Sequence, residues 1–302
     1  MTSSTRPGAT VTTRVLVTGV RGKTGVPLAE LLAARPDVEV LGGSSTPSTV
    51  TADGVLPTAF SWDEPDAWPS ALDGVDAVYV VRPDRVDAPG LIADLLAMTA
   101  PATRVVLLSE RAAEDVPEGT DGWAVRAERA VRDSGRAWTI LRPGWFMQVL
   151  TDPRFFLDEI AAGELRYSSG GASLAWIDAR DIAAVAERAL LGDNRDGEVL
   201  ELTGPEALTL ETTARLIAEA GGRPVTHVEI PIDEALTGTE GFERELTRVT
   251  FERVHAGTFA VVTETVERVT GRPARTLQGF LDDHRQVLSP GTGRPAARSP
   301  RS

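Results

Sequence analysis

Short apolar runs alternate with amphipathic stretches through the first half of the chain. Residues 14–20 (RVLVTGV) form a β-branched run that ends in glycine, which predicts a buried strand. Residues 26–34 carry Leu28, Leu31 and Leu32 on one helical stripe that stops before Pro36. A second strand is expected at 38–41, and two more at 77–81 (AVYVV) and 104–108 (RVVLL). Between the last two lies a helical pattern at 91–98, with Asp87 as N-cap and Pro89 in the first turn. Another helix is expected at 123–131 and another strand at 138–141, ended by Arg142, Pro143 and Gly144. Strands separated by helices of this length imply right-handed βαβ crossovers and a parallel sheet covered on both faces. The fold class read from this pattern is α/β, a Rossmann-type doubly wound sheet with a smaller C-terminal α/β substrate lobe.

After Gly144 the pattern loosens. A short helix at 158–162, short strands at 165–168 and 173–177, and a helix at 181–191 capped by Asp178 or Asp181 are expected. A strand at 198–202 and a helix capped by Thr209 and ended at Gly221–Gly222 follow, and the rest from Glu243 is mostly helical. The organisation expected is a disordered tail at 1–13, a dinucleotide-binding core at 14–150, a substrate lobe at 151–288 partly interleaved with the core, and a disordered tail at 289–302.

Composition narrows the class. The 302 residues carry a formal net charge of −13, a poor match for nucleic-acid backbones or anionic membranes. The absence of cysteine removes disulfides, thiolate metal sites and cysteine nucleophiles. No apolar run reaches the length of about 20 residues that spans a bilayer, and the polar start lacks a signal-peptide core, so a cytoplasmic chain is expected. The partner expected is a small molecule, with no nucleic acid and no membrane.

The most informative stretch is Thr18-Gly19-Val20-Arg21-Gly22-Lys23-Thr24-Gly25. It follows the first strand and opens the first helix. Gly19 suits the tight turn, Gly22 lets a pyrophosphate approach the backbone, and Gly25 allows close helix–sheet packing. The helix N-terminus adds free N–H groups and a positive dipole. Gly22-Lys23-Thr24 resembles the end of a P-loop, but Val17 occupies the position where that motif needs glycine. An NAD-selective site normally places a carboxylate at the end of the second strand. Here the chain reads Leu41-Gly42-Gly43-Ser44-Ser45, so nothing repels a 2′-phosphate. Arg21 and Lys23, the only lysine of the chain, add positive charge. The cofactor expected is NADP, with NAD not excluded.

Later landmarks follow in order: 72–76 (LDGVD) before the strand at 77–81, Ser109 closing RVVLLS, 128–135 (ERAVRDSG), 138–147 (WTILRPGWFM), 176–183 (WIDARDIA), 202–205 (LTGP) and 269–273 (VTGRP). This set resembles the NmrA-like branch of the atypical short-chain dehydrogenase/reductase superfamily. It looks most like the bacterial NAD(P)H azoreductase-like and ergot-alkaloid reductase-like members, over residues 14–286. The resemblance implies that Gly19, Gly22 and Gly25 hold the pyrophosphate; Arg21, Lys23 and Thr24 of the same loop are expected to join the cofactor site. It places Ser44 and Ser45 near the adenosine ribose, Val81 and Arg82 beside the second ribose, and Ser109 beneath the nicotinamide. Pro143, Gly144 and Phe146 then pass the carboxamide. Many relatives carry Arg near the end of the second strand, where this chain has Gly and Ser, and this weakens the NADP preference.

Standard members of that superfamily use Tyr-x-x-x-Lys, in which the lysine lowers the phenol pKa. The two tyrosines here, Tyr79 and Tyr167, are not followed by such a lysine, and the family pattern puts Thr120 and Ala124 at the dyad positions. Hydride transfer remains open to acceptors that are electrophilic already: an iminium or imine, a quinone, an azo group or a conjugated enone. The function expected is an NAD(P)H-dependent reductase of such an acceptor; the alternative is a non-catalytic NADP-binding redox sensor. Ser109 and Tyr167 are the candidate catalytic residues. His227, His255 and His284 share no metal-ligand spacing, and no metal is expected. Trp123, Trp145, Phe146, Met147 and Trp176 could line a pocket for a flat or aromatic substrate, with Trp176 read as core. A monomer or homodimer is expected.

Overall fold

The computed structural model describes residues 12–115, 122–192 and 195–289. Both expected tails lie almost wholly outside these residues, as does Thr120; Thr13 is already in the first strand. The chain divides into two compact units. The first runs to Pro143 and takes in Ala179–Leu202 and Thr265–Arg272; the second comprises Gly144–Asp178, Thr203–Glu264 and the residues from Pro273.

The strands are β1 (Thr13–Thr18), β2 (Val38–Ser44), β3 (Val55–Ala59), β4 (Ala77–Val81), β5 (Arg104–Leu108), β6 (Trp138–Pro143), β7 (Glu164–Tyr167), β8 (Glu198–Leu202) and β9 (Thr226–Glu229). In the first unit seven of them form a parallel sheet in the order β3-β2-β1-β4-β5-β6-β8. Order reverses between β1 and β4, the switch point at which doubly wound sheets open a crevice beyond their C-terminal ends. Side chains alternate across the sheet. Leu16, Val78, Val80, Val105, Leu107 and Ile140 pack with Trp68, Ile92, Leu95, Ala127 and Val131, which come from helices Trp68–Leu72, Ala88–Ala97 and Trp123–Arg132. On this unit's other face helix Gly25–Ala33 packs against helix Ala179–Leu190.

Two features of this sheet differ from expectation. β2 continues through Gly42, Gly43 and Ser44 rather than stopping at Leu41. A Cβ on Gly42 would come within 2.7 Å of Val55, so close packing of β3 explains that glycine. β3 itself was not expected. It is a short edge strand with Pro57 inside it and Leu56 exposed, and an edge tolerates a residue that cannot donate.

The second unit has its own core, built on Met147, Leu150, Tyr167, Trp176, Leu210, Ile217, Val254, Phe259 and Phe280. Thr209 caps helix Leu210–Gly221 by accepting from the Thr212 N–H at 3.2 Å, and Gly222 ends it at φ 67°. β7 and β9 make a two-stranded parallel pair, β9 being a second strand not expected from the sequence. The strand expected at 173–177 is not formed; Leu174 and Ile177 make only isolated bridges, to Leu208 and Phe146. Among the described residues no helix is long and apolar enough to cross a membrane.

Candidate functional site

The glycine loop joins β1 to helix Gly25–Ala33. Gly19 turns with φ +66°, a conformation that strains any residue with a Cβ. Its carbonyl accepts from the Gly22 N–H at 2.8 Å, closing the loop. A Cβ on Gly25 would overlap that same carbonyl and come within 2.9 Å of the Val20 backbone. Thr24 occupies the N-cap position and makes no side-chain cap. Its hydroxyl accepts from Tyr79 at 3.1 Å instead, while in the first turn the Val26 N–H bonds the Gly22 carbonyl at 3.1 Å and Pro27 has no N–H to offer. Arg21 and Gly22 are exposed at the rim and Lys23 is half-buried. A bare main-chain cradle at a helix N-terminus, beside two cations, fits a dinucleotide diphosphate.

The adjoining strand ends are less open. Thr18 ties β1 to β4, donating to the Tyr79 carbonyl at 3.0 Å and accepting from the Val81 N–H at 2.8 Å. Val81 is half-buried and would lie 3.2 Å from a Cβ on Gly19. The Arg82 side chain is largely buried and donates to Glu110 at 3.1 Å. Burial pulls its pKa down, against the charge of Glu110. Ser44 is buried and accepts from the Thr46 N–H at 3.1 Å, while Ser45 is exposed.

Ser109 follows β5 on the face that carries Val105 and Leu107. The same alternation places Arg142 after Ile140 on β6 and Glu201 after Val199 on β8. Helix Trp123–Arg132 brings fully buried Glu128 to this polar end of an apolar layer. Ser109 donates its hydroxyl proton to Glu128 Oε1 at 2.7 Å. Arg142 grips both oxygens of Glu128, Nε at 2.8 Å and Nη2 at 2.7 Å, and Arg132 adds a bond at 3.0 Å. Arg142 also pairs with Glu201 at 3.3 Å and with Glu114, and Arg111 meets Glu201 at 3.0 Å. Burial alone would lower the Arg142 pKa, but Glu128 and the other carboxylates outweigh it and raise it. Burial pushes the Glu201 carboxyl up, with Arg111 and Arg142 pulling the other way. The hydrogen of Ser109 is thus committed, and its lone pairs are what it offers a ligand. Glu128, Arg142, Glu201 and Arg111 were missed from sequence; polar residues continuing a period-2 apolar pattern at three strand ends were the available signal.

Pro143 ends β6 buried, its carbonyl accepting from the Arg111 N–H at 3.0 Å. Gly144, Phe146 and Tyr167 belong to the second unit. There Gly144 is buried and Phe146 half-buried against the core. Tyr167 is buried among Trp145, Phe156 and Phe251, with ring centroids at 5.6, 5.7 and 5.3 Å. Burial, reinforced by Glu229, pushes its phenol well above the ordinary value. Met147 and Trp176 are core residues, and the Trp176 indole donates to Thr213 at 3.1 Å. The Trp123 side chain lies outside the described residues, and Ala124 is buried in the helix that Trp123 begins. Asp178 precedes helix Ala179–Leu190, accepting from Gln148 at 2.9 Å, and Asp181 is in its first turn. The three histidines do not gather. His227 lies between Glu211 at 3.2 Å and Glu229 at 3.4 Å, His255 meets Ser168 at 3.0 Å, and His284 meets the Phe280 carbonyl at 2.7 Å.

Residues 19–190 match a family model described as NAD(P)H-binding. The chain is 35% identical over 281 residues to the NAD(P)H azoreductase of Xenophilus azovorans, covering 89% of this chain and 97% of that one. It is 33% identical over 289 residues to the (4-alkanoyl-5-oxo-2,5-dihydrofuran-3-yl)methyl phosphate reductase of Streptomyces griseus, covering 91% and 99%. Among solved structures it is similar to the NADPH-dependent quinone oxidoreductase of Escherichia coli complexed with NADPH. The TM-score is 0.75 and the identity 22%, over 89% of this chain and 99% of that one. That last likeness is one of fold.

Proposed function

Since the chain belongs to the NAD(P)H-binding family, as a member of the NmrA-like atypical short-chain dehydrogenase/reductases, we propose that it is an NAD(P)H-dependent reductase. The acceptor is one already activated toward hydride: an imine or iminium, a quinone, an azo group or a conjugated enone. The observation that carries this reading is the Gly19–Gly25 cradle, where any Cβ at Gly25 would fill the space against the Gly19 carbonyl. The names of the azoreductase and the dihydrofuranyl reductase support a reductase over a regulator that binds without turnover.

Bound dihydronicotinamide supplies the hydride. The chain's own residues do the rest. The Gly19, Gly22 and Gly25 main chain and the helix N-terminus hold the diphosphate. Arg21, Lys23, Ser44 and Ser45 favour a 2′-phosphate, since no carboxylate ends β2, and NADP is preferred to NAD on that ground. Val81 and Arg82 flank the second ribose. Ser109, with its hydrogen held by Glu128, accepts a hydrogen bond and orients the reactive ring, with Pro143 beside it. Neither tyrosine is followed by lysine at the dyad spacing, so no phenolate relay operates. Protons reach reduced products from water, since the Tyr167 hydroxyl is closed off within the second unit's core.

Calorimetry with NADPH and NADH, followed by cofactor oxidation with menadione, an azo dye and a cyclic imine, tests the proposal. Binding of NADPH tighter than NADH and steady oxidation with at least one acceptor are expected. No heat with either nucleotide, or binding without turnover across the panel, would overturn it.

A further inference from the structure

Tyr79 is bonded to both ends of the glycine loop. Its main-chain carbonyl accepts from the Thr18 hydroxyl at 3.0 Å, where the loop begins, and its phenol donates to the Thr24 hydroxyl at 3.1 Å, where the loop ends. The main-chain ladder between β1 and β4 stops at the pair Val17 and Tyr79, whereas β1 stays paired with β2 as far as Thr18 and Gly43. Past that point the Thr18 side chain takes over from the ladder, donating to Tyr79 and accepting from the Val81 N–H at 2.8 Å. Gly22 closes the middle of the loop through its bond to the Gly19 carbonyl at 2.8 Å.

Neither partner of the Tyr79–Thr24 bond is explained by its own element. A threonine at the start of a helix ordinarily turns its hydroxyl on the N–H groups of its own first turn. Thr24 is already helical in its backbone, at φ −94° and ψ −29°, makes no such cap and is buried. Tyr79 is closed off from solvent on a strand whose other side chains are all apolar (AVYVV). Phenylalanine would fill that layer without the cost of burying a hydroxyl, so the packing of the sheet does not call for the phenol. Burial also pushes the phenol up, which keeps it protonated and a donor. A cradle of main-chain N–H groups grips an anion best when it is ordered before the anion arrives, because ordering a loose loop on binding is subtracted from the affinity. The glycines that admit a diphosphate also free the backbone, so the restraint has to come from outside the loop.

We propose that Tyr79 is a positioning residue for the dinucleotide: through Thr18 and Thr24 it holds the two ends of the glycine loop in the arrangement that receives the diphosphate, without touching the nucleotide itself. This rests on the nucleotide-binding half of the reading above and adds to it a residue from another strand. The carbonyl bond to Thr18 survives any change of side chain, so the phenol's bond to Thr24 is the part that a substitution reads. The diphosphate is common to NADPH and NADH, so loss of the phenol weakens both alike and leaves the preference between them unchanged.

The test compares the full chain with Tyr79→Phe, Thr24→Ser, Thr24→Val and the double variant Tyr79→Phe/Thr24→Val. Affinity for NADPH and NADH is measured by calorimetry, and thermal unfolding and amide exchange are followed without nucleotide. Tyr79→Phe is expected to bind NADPH about five- to ten-fold more weakly, and NADH by the same factor. Amides of residues 19–28 should exchange faster in it, while those of β5 and β6 are unchanged. Thr24→Ser keeps a hydroxyl for the phenol and should bind NADPH as the unaltered chain does. Tyr79→Phe and Thr24→Val each strand one buried hydroxyl and should unfold at a lower temperature; the double variant strands neither and should recover most of that loss. Its NADPH affinity should nevertheless stay at the level of the single variants. Affinity that recovers together with stability would overturn the inference, because the pair would then serve the core alone. Loop exchange and NADPH affinity in Tyr79→Phe equal to those of the unaltered chain would overturn it as well. An unaltered chain that binds neither nucleotide defeats the reading of the site, whereas the exchange measurement still decides whether Tyr79 holds the loop.

Discussion

Glu128 is the most constrained side chain in the first unit. It is fully buried, and its two oxygens accept four hydrogen bonds from Ser109, Arg142 and Arg132. Removing one partner of such a fork leaves a buried charge uncompensated. Glu128→Ala is therefore expected to lose about 3–5 kcal/mol in urea unfolding, and Ser109→Ala about 1.5–3 kcal/mol. The two tyrosines give a second check. Burial raises both phenols above the ordinary value of 10.0, Tyr79 against a bond with Thr24 and Tyr167 with help from Glu229. The folded chain then holds these protons more tightly than the unfolded chain does. Their contribution to stability is full below pH 10.0 and declines as pH rises past it toward the folded values. In an alkaline titration followed by phenolate absorbance, neither tyrosine should ionise near pH 10.0 until the chain unfolds. At this scale the glycine loop was legible in the sequence because its residues are adjacent. Ser109, Glu128 and Arg142 were not legible as a group, since they are far apart along the chain and only a helix and two strands bring them together.

Among elements, the β1 turn and helix Gly25–Ala33 carry the nucleotide proposal, and helix Leu210–Gly221 provides a control. Gly25→Ala forces a Cβ into the Gly19 carbonyl, which should cost about 1–3 kcal/mol and abolish NADPH binding by calorimetry. Thr209→Ala removes a cap and should cost about 1 kcal/mol in urea unfolding while leaving NADPH binding unchanged. Long apolar runs such as 77–81 and 104–108 were readable as strands because each is buried on both faces. β3 and β9 were not readable. Pro57 hides the first, and the second alternates polar residues over only four positions, with pairing to β7 supplying the order. The second strand was expected only over 38–41, whereas the crowding of Val55 against Gly42 makes the glycine pair at 42–43 part of it.

For the whole molecule, the first unit is assembled from three separate segments of chain. β8 and helix Ala179–Leu190 return to it after the excursion into the second unit, bringing buried Ile182, Val185 and Leu200. A fragment ending at Pro143 lacks these residues and the Glu201 partner of Arg142 and Arg111. It should show little cooperative unfolding by circular dichroism and rapid amide exchange, whereas the intact chain should unfold cooperatively. The interleaving was partly legible, because apolar patterns at 181–191 and 198–202 look like further crossover elements.

The chain leaves β6 after Pro143 and leaves β8 after Leu202, and these two residues are register partners on neighbouring strands. Departures so arranged share one doorway in the parallel sheet. A segment lengthened or shortened past that doorway therefore leaves every pairing of the seven-stranded sheet uncut.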